Sequence, residues 1–163
     1  MSYLLDANVF IEAKNRHYGF DFCPAFWDWL IDRNGAGIVF SVAEVGDELT
    51  RGKDELADWA TVRGSDFFLD PPDPGMTPAL ASVSAWVVNK GYVTAAVNAF
   101  LGDPDYYLIS HALAENLVVV THEVASTSLK KIKIPDVCKG VGVEPISPFD
   151  MLRREGARFR LGA

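Results

Sequence analysis

Residues 117–123 read Leu-Val-Val-Val-Thr-His-Glu. Four apolar residues in a row, three of them β-branched, suit a strand buried on both faces, because successive side chains of a strand point to opposite sides of its sheet. The run stops at a threonine, a histidine and a glutamate, so polar chemistry sits directly at its carboxyl end. Near the start of the chain, Tyr3-Leu4-Leu5-Asp6-Ala7-Asn8 repeats the form: a short apolar run, then an acid. Strands covered on both sides belong to parallel sheets with helices on each face.

The intervening sequence alternates accordingly. Ile38–Phe40 is a second strand, Phe67–Leu69 a short edge strand, and Val143–Ile146 a final one. Phe22, Phe26, Trp29 and Leu30 stand at helical spacing in a long helical region that ends at Asn34-Gly35. Ser41-Val42-Ala43-Glu44 has the S-x-x-E form of a capping box and opens a helix to about Arg51. Asp54–Thr61 is another helical piece, and 71–75 (PPDPG) a loop. Thr77-Pro78 opens a helix through Trp86 and Val87, Gly91 breaks it, and a further helix ends near Leu101. After the turn Gly102-Asp103-Pro104, Asp105 takes the N-cap position of a helix carrying Leu108, Ile109, Ala112 and Leu113 on one face. The expectation is a single α/β domain over residues 1–163, a central parallel β-sheet flanked by helices on both faces.

Composition agrees. The chain has 163 residues, 49% hydrophobic and 23% charged, as in an ordinary globule. No apolar run approaches the roughly 20 residues of a membrane helix, and no membrane association is expected. The N-terminus lacks a basic n-region and carries Asp6 within its first apolar stretch, which argues against a signal peptide. Cys23 and Cys138 have neither metal-ligand nor redox spacing and read as reduced thiols of a cytoplasmic protein. The net charge of −7 is unevenly spread: residues 1–125 hold 7 basic and 18 acidic side chains, residues 126–163 hold 8 and 4. An acidic body with a basic end can still meet a polyanion through a local patch.

The acids fall where a ligand of such a sheet binds, outside the carboxyl ends of the strands. Asp6 and Glu123 end strands, Asp105 opens a helix, and Glu48 lies two turns into the helix after the second strand. Convergent carboxylates repel one another unless a cation neutralises them, and an oxygen-only set with few histidines points to Mg²⁺ or Mn²⁺ rather than zinc. Each acid also has an ordinary reading: a turn at Asp6, a solvated helix flank at Glu48, a plain N-cap at Asp105, a surface acid at Glu123.

Taken in order, the set resembles the PIN-domain nucleases, the family that includes VapC-like toxins. YLLDANVFI supplies the strand ending in Asp with a nearby Asn. SVAEVGDELTRG supplies the Ser and the helix with Glu-Leu and a following glycine, placing the family glutamate on Glu48. DYYLISHALA supplies the third motif, and LVVVTHE the last. The aromatic FCPAFWDWL, TPALASVSAWV, the VTHE ending and IPDVC at 134–138 are similar to an uncharacterised PIN-like subgroup. Two departures stand out. The fourth acid is Glu123 rather than Asp, and GDPDYY offers Asp103 as well as Asp105.

The resemblance implies a metal-dependent endoribonuclease, a toxin of a type II toxin–antitoxin pair, with RNA as substrate, an antitoxin protein as partner and a homodimer as assembly. It implies Asp6, Glu48, Asp105 and Glu123 as catalytic acids, with Asp6, Asp105 and Glu123 on Mg²⁺ or Mn²⁺. Asn8 and Thr121 are then supporting groups. Lys130, Lys131, Lys133, Arg153 and Arg154, with Lys139, Arg158 and Arg160 nearby, offer charge for flanking phosphates. Tyr106, Tyr107 and Trp86 stand at helix positions and read as core or interface rather than as base-stacking platforms. His111 and His122 read as structural or surface residues. The alternatives are a housekeeping RNA-processing nuclease and a catalytically inactive PIN-like binding module. A haloacid-dehalogenase-like phosphatase, which needs a second Asp two residues after the first, is disfavoured by Asn8.

Overall fold

In the computed structural model, which describes residues 1–162, β1 (Tyr3–Leu5) is the middle strand of a five-stranded sheet. Around it lie β2 (Val39–Val42), β3 (Phe68–Leu69), β4 (Val118–Val120) and β5 (Pro145–Ile146), in the order β3-β2-β1-β4-β5. Every pairing is parallel, with Leu4 opposite both Phe40 and Val119. Tyr3, Leu4 and Leu5 are all buried, as are Val118, Val119 and Val120. Since their side chains alternate between faces, both faces are covered. Helices provide that cover: α1 (Ala7–Glu12), α2 (Pro24–Gly35), α3 (Ala43–Thr50), α4 (Glu55–Arg63), α5 (Met76–Asn89), α6 (Thr94–Leu101), α7 (Pro104–Glu115), α8 (Ile134–Val141) and α9 (Pro148–Arg154). Ala163, the last residue of the expected domain, lies outside the described residues. No helix among those described is long and apolar enough to cross a membrane.

Local detail departs from expectation at three places. The first helical region is two helices: α1 runs into a π-helical turn at Ala13–His17, and α2 starts only at Pro24. Phe22 falls in the connecting loop and is 66% exposed, while Phe26 and Trp27 enter the core. Ser41 is no cap. It belongs to β2, and its hydroxyl donates 2.5 Å to the carbonyl of Leu5, leaving Val42 as a side-chain-free cap of α3. The N-cap of α7 is Asp103, whose carboxylate accepts the Asp105 N–H at 3.0 Å. The basic C-terminal stretch is anchored: Phe159 packs against Tyr18 and Phe26, and the Tyr3 hydroxyl donates to Glu155 at 2.7 Å.

α8 and α9, each about two turns long, are additional to the helices expected from the sequence. Their signals were nonetheless present. Ser147-Pro148 is a capping serine with proline at the first helical position, and Ser147 Oγ accepts the Asp150 N–H at 3.1 Å.

Candidate active site

The strand order reverses between β1 and β4, so their carboxyl ends flank the crevice at the switch point of the sheet. Asp6 follows β1 and Thr121 follows β4, and the two meet: the Thr121 hydroxyl donates to Asp6 Oδ2 at 2.8 Å. The Thr121 Oγ1 in turn accepts the Glu123 N–H at 3.1 Å and, at 3.4 Å, the Asn8 side-chain amide. A hydroxyl has one proton and two lone pairs to offer, so Thr121 is fully used. Asn8 closes the ring by accepting the His122 N–H at 3.2 Å. Ser41, from the other side of β1, holds the residue immediately before Asp6. These bonds fix the backbone on both sides of Asp6, which is only 4% exposed.

Glu123 answers the question its extra methylene raised. Its Oε1 accepts the Ile134 N–H at 3.0 Å, at the first residue of α8. That amide is one of the orphan donors of a helix start. The longer side chain thus ties β4 to α8 while its second oxygen is left for the cleft. Asp105 reaches the same place from the first turn of α7, freed for it because Asp103 does the capping.

Electrostatics show how closely the acids gather. Burial pushes the Asp6 carboxyl up to about 7, with the charges of Glu123 and Glu48 adding to it and the bonds from Thr121 and Ala7 opposing. Asp105 rises to about 9, first through burial and then through Asp6, Asp103 and Glu123. Glu48 sits at the exposed rim and is raised by partial burial and by Asp103, against Arg51. All four predicted acids, with Asp103, therefore share one electrostatic neighbourhood. A cleft of about 330 Å³ is lined by Asp103, Asp105 and Glu123 and also by Lys130, Lys131 and Lys133.

Arg153 and Arg154 do not join this cleft. They lie in the last turn of α9, where Arg154 makes a two-pronged pair with Glu144 at 3.0 and 2.8 Å, just before β5 begins. That is the amino-terminal end of the sheet, opposite the acids. Arg153 faces Asp150 at 3.7 Å. His122 turns away to pack among His17 and Phe149. Cys138 is fully buried and its thiol pKa is driven upward by that burial, so it offers no nucleophile. Ser41 is the supporting residue that local pattern misassigned, because the strand beside it is invisible in its own neighbourhood.

The donor set suits a hard dication. Every nearby ligand is a carboxylate oxygen, and without a cation two of the acids retain protons near neutrality. Among the described residues no group of three or more His, Cys, Asp or Glu side chains is already placed to hold a metal ion. Mg²⁺ does not need one, since it commonly takes one or two carboxylates and keeps several waters.

No curated protein matches this chain. Among solved structures, it is similar to a chain of VapBC2 from Rickettsia felis bound to a DNA fragment from their promoter. The identity is 17% and the TM-score 0.56, over 90% of this chain and 98% of that one. At that identity the likeness concerns the fold, an α/β architecture similar to a VapC PIN domain, as the motif order had implied. Residues 3–159 match the family described as Domain of unknown function (DUF4411), and with nearly its whole length covered the chain belongs to that family.

Proposed function

We propose that this protein is a metal-dependent endoribonuclease of the toxin type, hydrolysing RNA phosphodiesters at the β1–β4 crevice. The observation that carries the reading is that Asp6, Asp105 and Glu123, from three separate elements, share one electrostatic neighbourhood at the switch point of the sheet, where the Thr121 hydroxyl joins the Asp6 carboxylate to the Glu123 backbone N–H. A purely structural role does not explain them. Burying mutually repelling carboxylates costs stability, and such strain is characteristic of functional sites.

Asp6, Asp105 and the free oxygen of Glu123 would hold Mg²⁺ or Mn²⁺, with Glu48 contributing from the rim. Bound there, the ion would acidify a water and offset negative charge developing on the phosphate. Thr121 holds the Asp6 carboxylate through its hydroxyl, and Asn8 steadies Thr121 in turn. Lys130, Lys131 and Lys133 line the same cleft as Asp103, Asp105 and Glu123 and would neutralise phosphates that the acidic body otherwise repels. The promoter-bound VapBC2 complex favours an antitoxin partner over a housekeeping role. A homodimer and a cytoplasmic location follow from the same reading.

The test is cleavage of total cellular RNA by metal-stripped protein with and without Mn²⁺ or Mg²⁺, with Asp6→Asn purified and assayed alongside. The expected result is metal-dependent cleavage that the variant loses. Absence of cleavage together with no metal-induced rise in melting temperature would leave an inactive binding module instead.

A further inference from the structure

A second hollow, of about 670 Å³, lies on the other side of the loop that walls the acid cleft. Residues 126–129 line this hollow, and Lys130, Lys131 and Lys133 line the cleft, so one short segment separates the two. Its apolar wall is Trp86 and Tyr92, with ring centres 6.2 Å apart and planes tilted by 59°. Lys90 Nζ stands 5.7 Å from the Trp86 ring centre, and Lys139 lines the hollow from α8.

Trp86 is not simply a core residue of α5. Its helix neighbours Val83 and Val87 are completely buried, whereas the indole is half-buried and faces the hollow. Its position is enforced by Gly140: a Cβ there would lie 2.0 Å from the indole Cε2. The ring is thus braced on a bare backbone and presented at a cavity wall. The loop opposite is held by its own bonds. Asp136 accepts the Ser126 N–H at 3.0 Å, Ser126 Oγ accepts the Ser128 N–H at 3.1 Å, and Ser128 Oγ accepts the Lys130 N–H at 3.2 Å. Leu129 accepts the Val93 N–H at 2.9 Å, joining the loop to the turn before α6. Both serine hydroxyls, used here as acceptors, keep their protons to donate. Asp136 is the one acid on the wall, and one of its oxygens is already engaged.

Aromatic planes, ammonium groups and hydroxyl donors together match a nucleotide: a base to stack, a phosphate to neutralise, and polar edges to bond. We propose that this hollow binds a nucleotide of the RNA strand flanking the scissile phosphate, with its base on Trp86 and its phosphate held by Lys90 and Lys139. The proposal rests on the ribonuclease reading and extends it to how the strand is held.

Binding is measured on the full chain carrying Asp6→Asn, which suppresses cleavage, using a fluorescein-labelled single-stranded oligouridylate and an abasic strand of equal length. Hydrolysis of RNA and of bis(p-nitrophenyl) phosphate, a diester without a base, is measured with the native acids and Mn²⁺. Trp86→Leu is expected to weaken oligouridylate binding by about 5- to 100-fold. Trp86→Phe, which keeps a ring, loses less and guards against a folding artefact when melting temperatures are compared. The effect disappears on the abasic strand, and hydrolysis of the base-free diester is unchanged. Lys139→Ala shallows the salt dependence of binding by roughly 0.7 in log–log slope. A folded Trp86→Leu protein that binds and cleaves RNA like its parent overturns the subsite, leaving the hollow as packing or as a face for a protein partner. Failure of every form to hydrolyse either substrate sinks the ribonuclease reading instead, and the Trp86 dependence of oligouridylate binding then decides the subsite by itself.

Discussion

Replacing Asp6 by Asn should make the metal-free protein more stable while removing its activity. The Asp6 carboxyl is shifted from 3.8 to about 7, mainly by burial and then by the charges of Glu123 and Glu48. A raised carboxyl pKa means that the folded state holds a proton the unfolded chain has released. Stability therefore falls as pH rises from about 4 and levels off above about 7. At about 1.36 kcal/mol per unit, the full penalty at pH 8 is on the order of 4 kcal/mol, of which roughly a third is already present at pH 5. Asparagine carries no such penalty. It keeps one oxygen for the Thr121 hydroxyl but turns an amide toward the Ala7 N–H that the carboxylate accepts, at a cost of about 1–2 kcal/mol. The variant should match the parent near pH 5 and exceed it by roughly 2–3 kcal/mol at pH 8, a rise of about 5–10 °C for a domain of this size. Thermal unfolding in EDTA at pH 5, 6.5 and 8 reads this directly. Saturating Mn²⁺ should reverse the order, because only the parent gains from ligand binding to the folded state. An Asp6→Asn protein no more stable than its parent at pH 8, with no widening between pH 5 and 8, would refute the idea that the site is strained by uncompensated charge.

The supporting residues can be separated by stability and activity together. Thr121→Val removes a hydroxyl that makes three bonds and should cost about 1–3 kcal/mol by chemical denaturation, with metal-dependent cleavage reduced at least about tenfold; Thr121→Ser should restore both. Asp103→Ala loses a helix cap, about 1 kcal/mol, yet should retain metal-dependent cleavage, whereas Asp105→Asn should abolish cleavage and raise the melting temperature in EDTA at pH 8. Glu123→Asp shortens the arm that reaches the Ile134 N–H, so faster hydrogen exchange at the start of α8 should accompany weaker Mn²⁺ binding in calorimetry. Ser41→Ala breaks a fully buried bond to Leu5 and should cost about 1–3 kcal/mol in a denaturant melt, with an effect on activity that Ser41→Thr rescues if the hydroxyl is what matters.

The acids themselves were legible one at a time. An acid directly after a buried apolar run announces a strand end, and the runs at Tyr3–Leu5 and Val118–Val120 carry that signal locally, in burial demanded on both faces. Alternation of such runs with helical spacing was enough for a parallel α/β sheet, and the order of motifs was enough for the PIN-like resemblance. What the chain could not show in one dimension was who meets whom. Whether Ser41 caps its own helix or bonds Leu5 depends on β2 lying beside β1, a contact 36 residues distant. Which of Asp103 and Asp105 caps α7 depends on the proline between them, which takes the first helical position and leaves Asp103 as the cap, while both acids line the cleft. The basic residues near the end looked equivalent by charge, but the three lysines line the acid cleft while Arg154 is spent on Glu144 at the opposite end of the sheet. Composition and periodicity report how much of a side chain must be buried. Only the crossovers between parallel strands decide which buried and half-buried groups become neighbours, and the chemistry of this site is made of those neighbours.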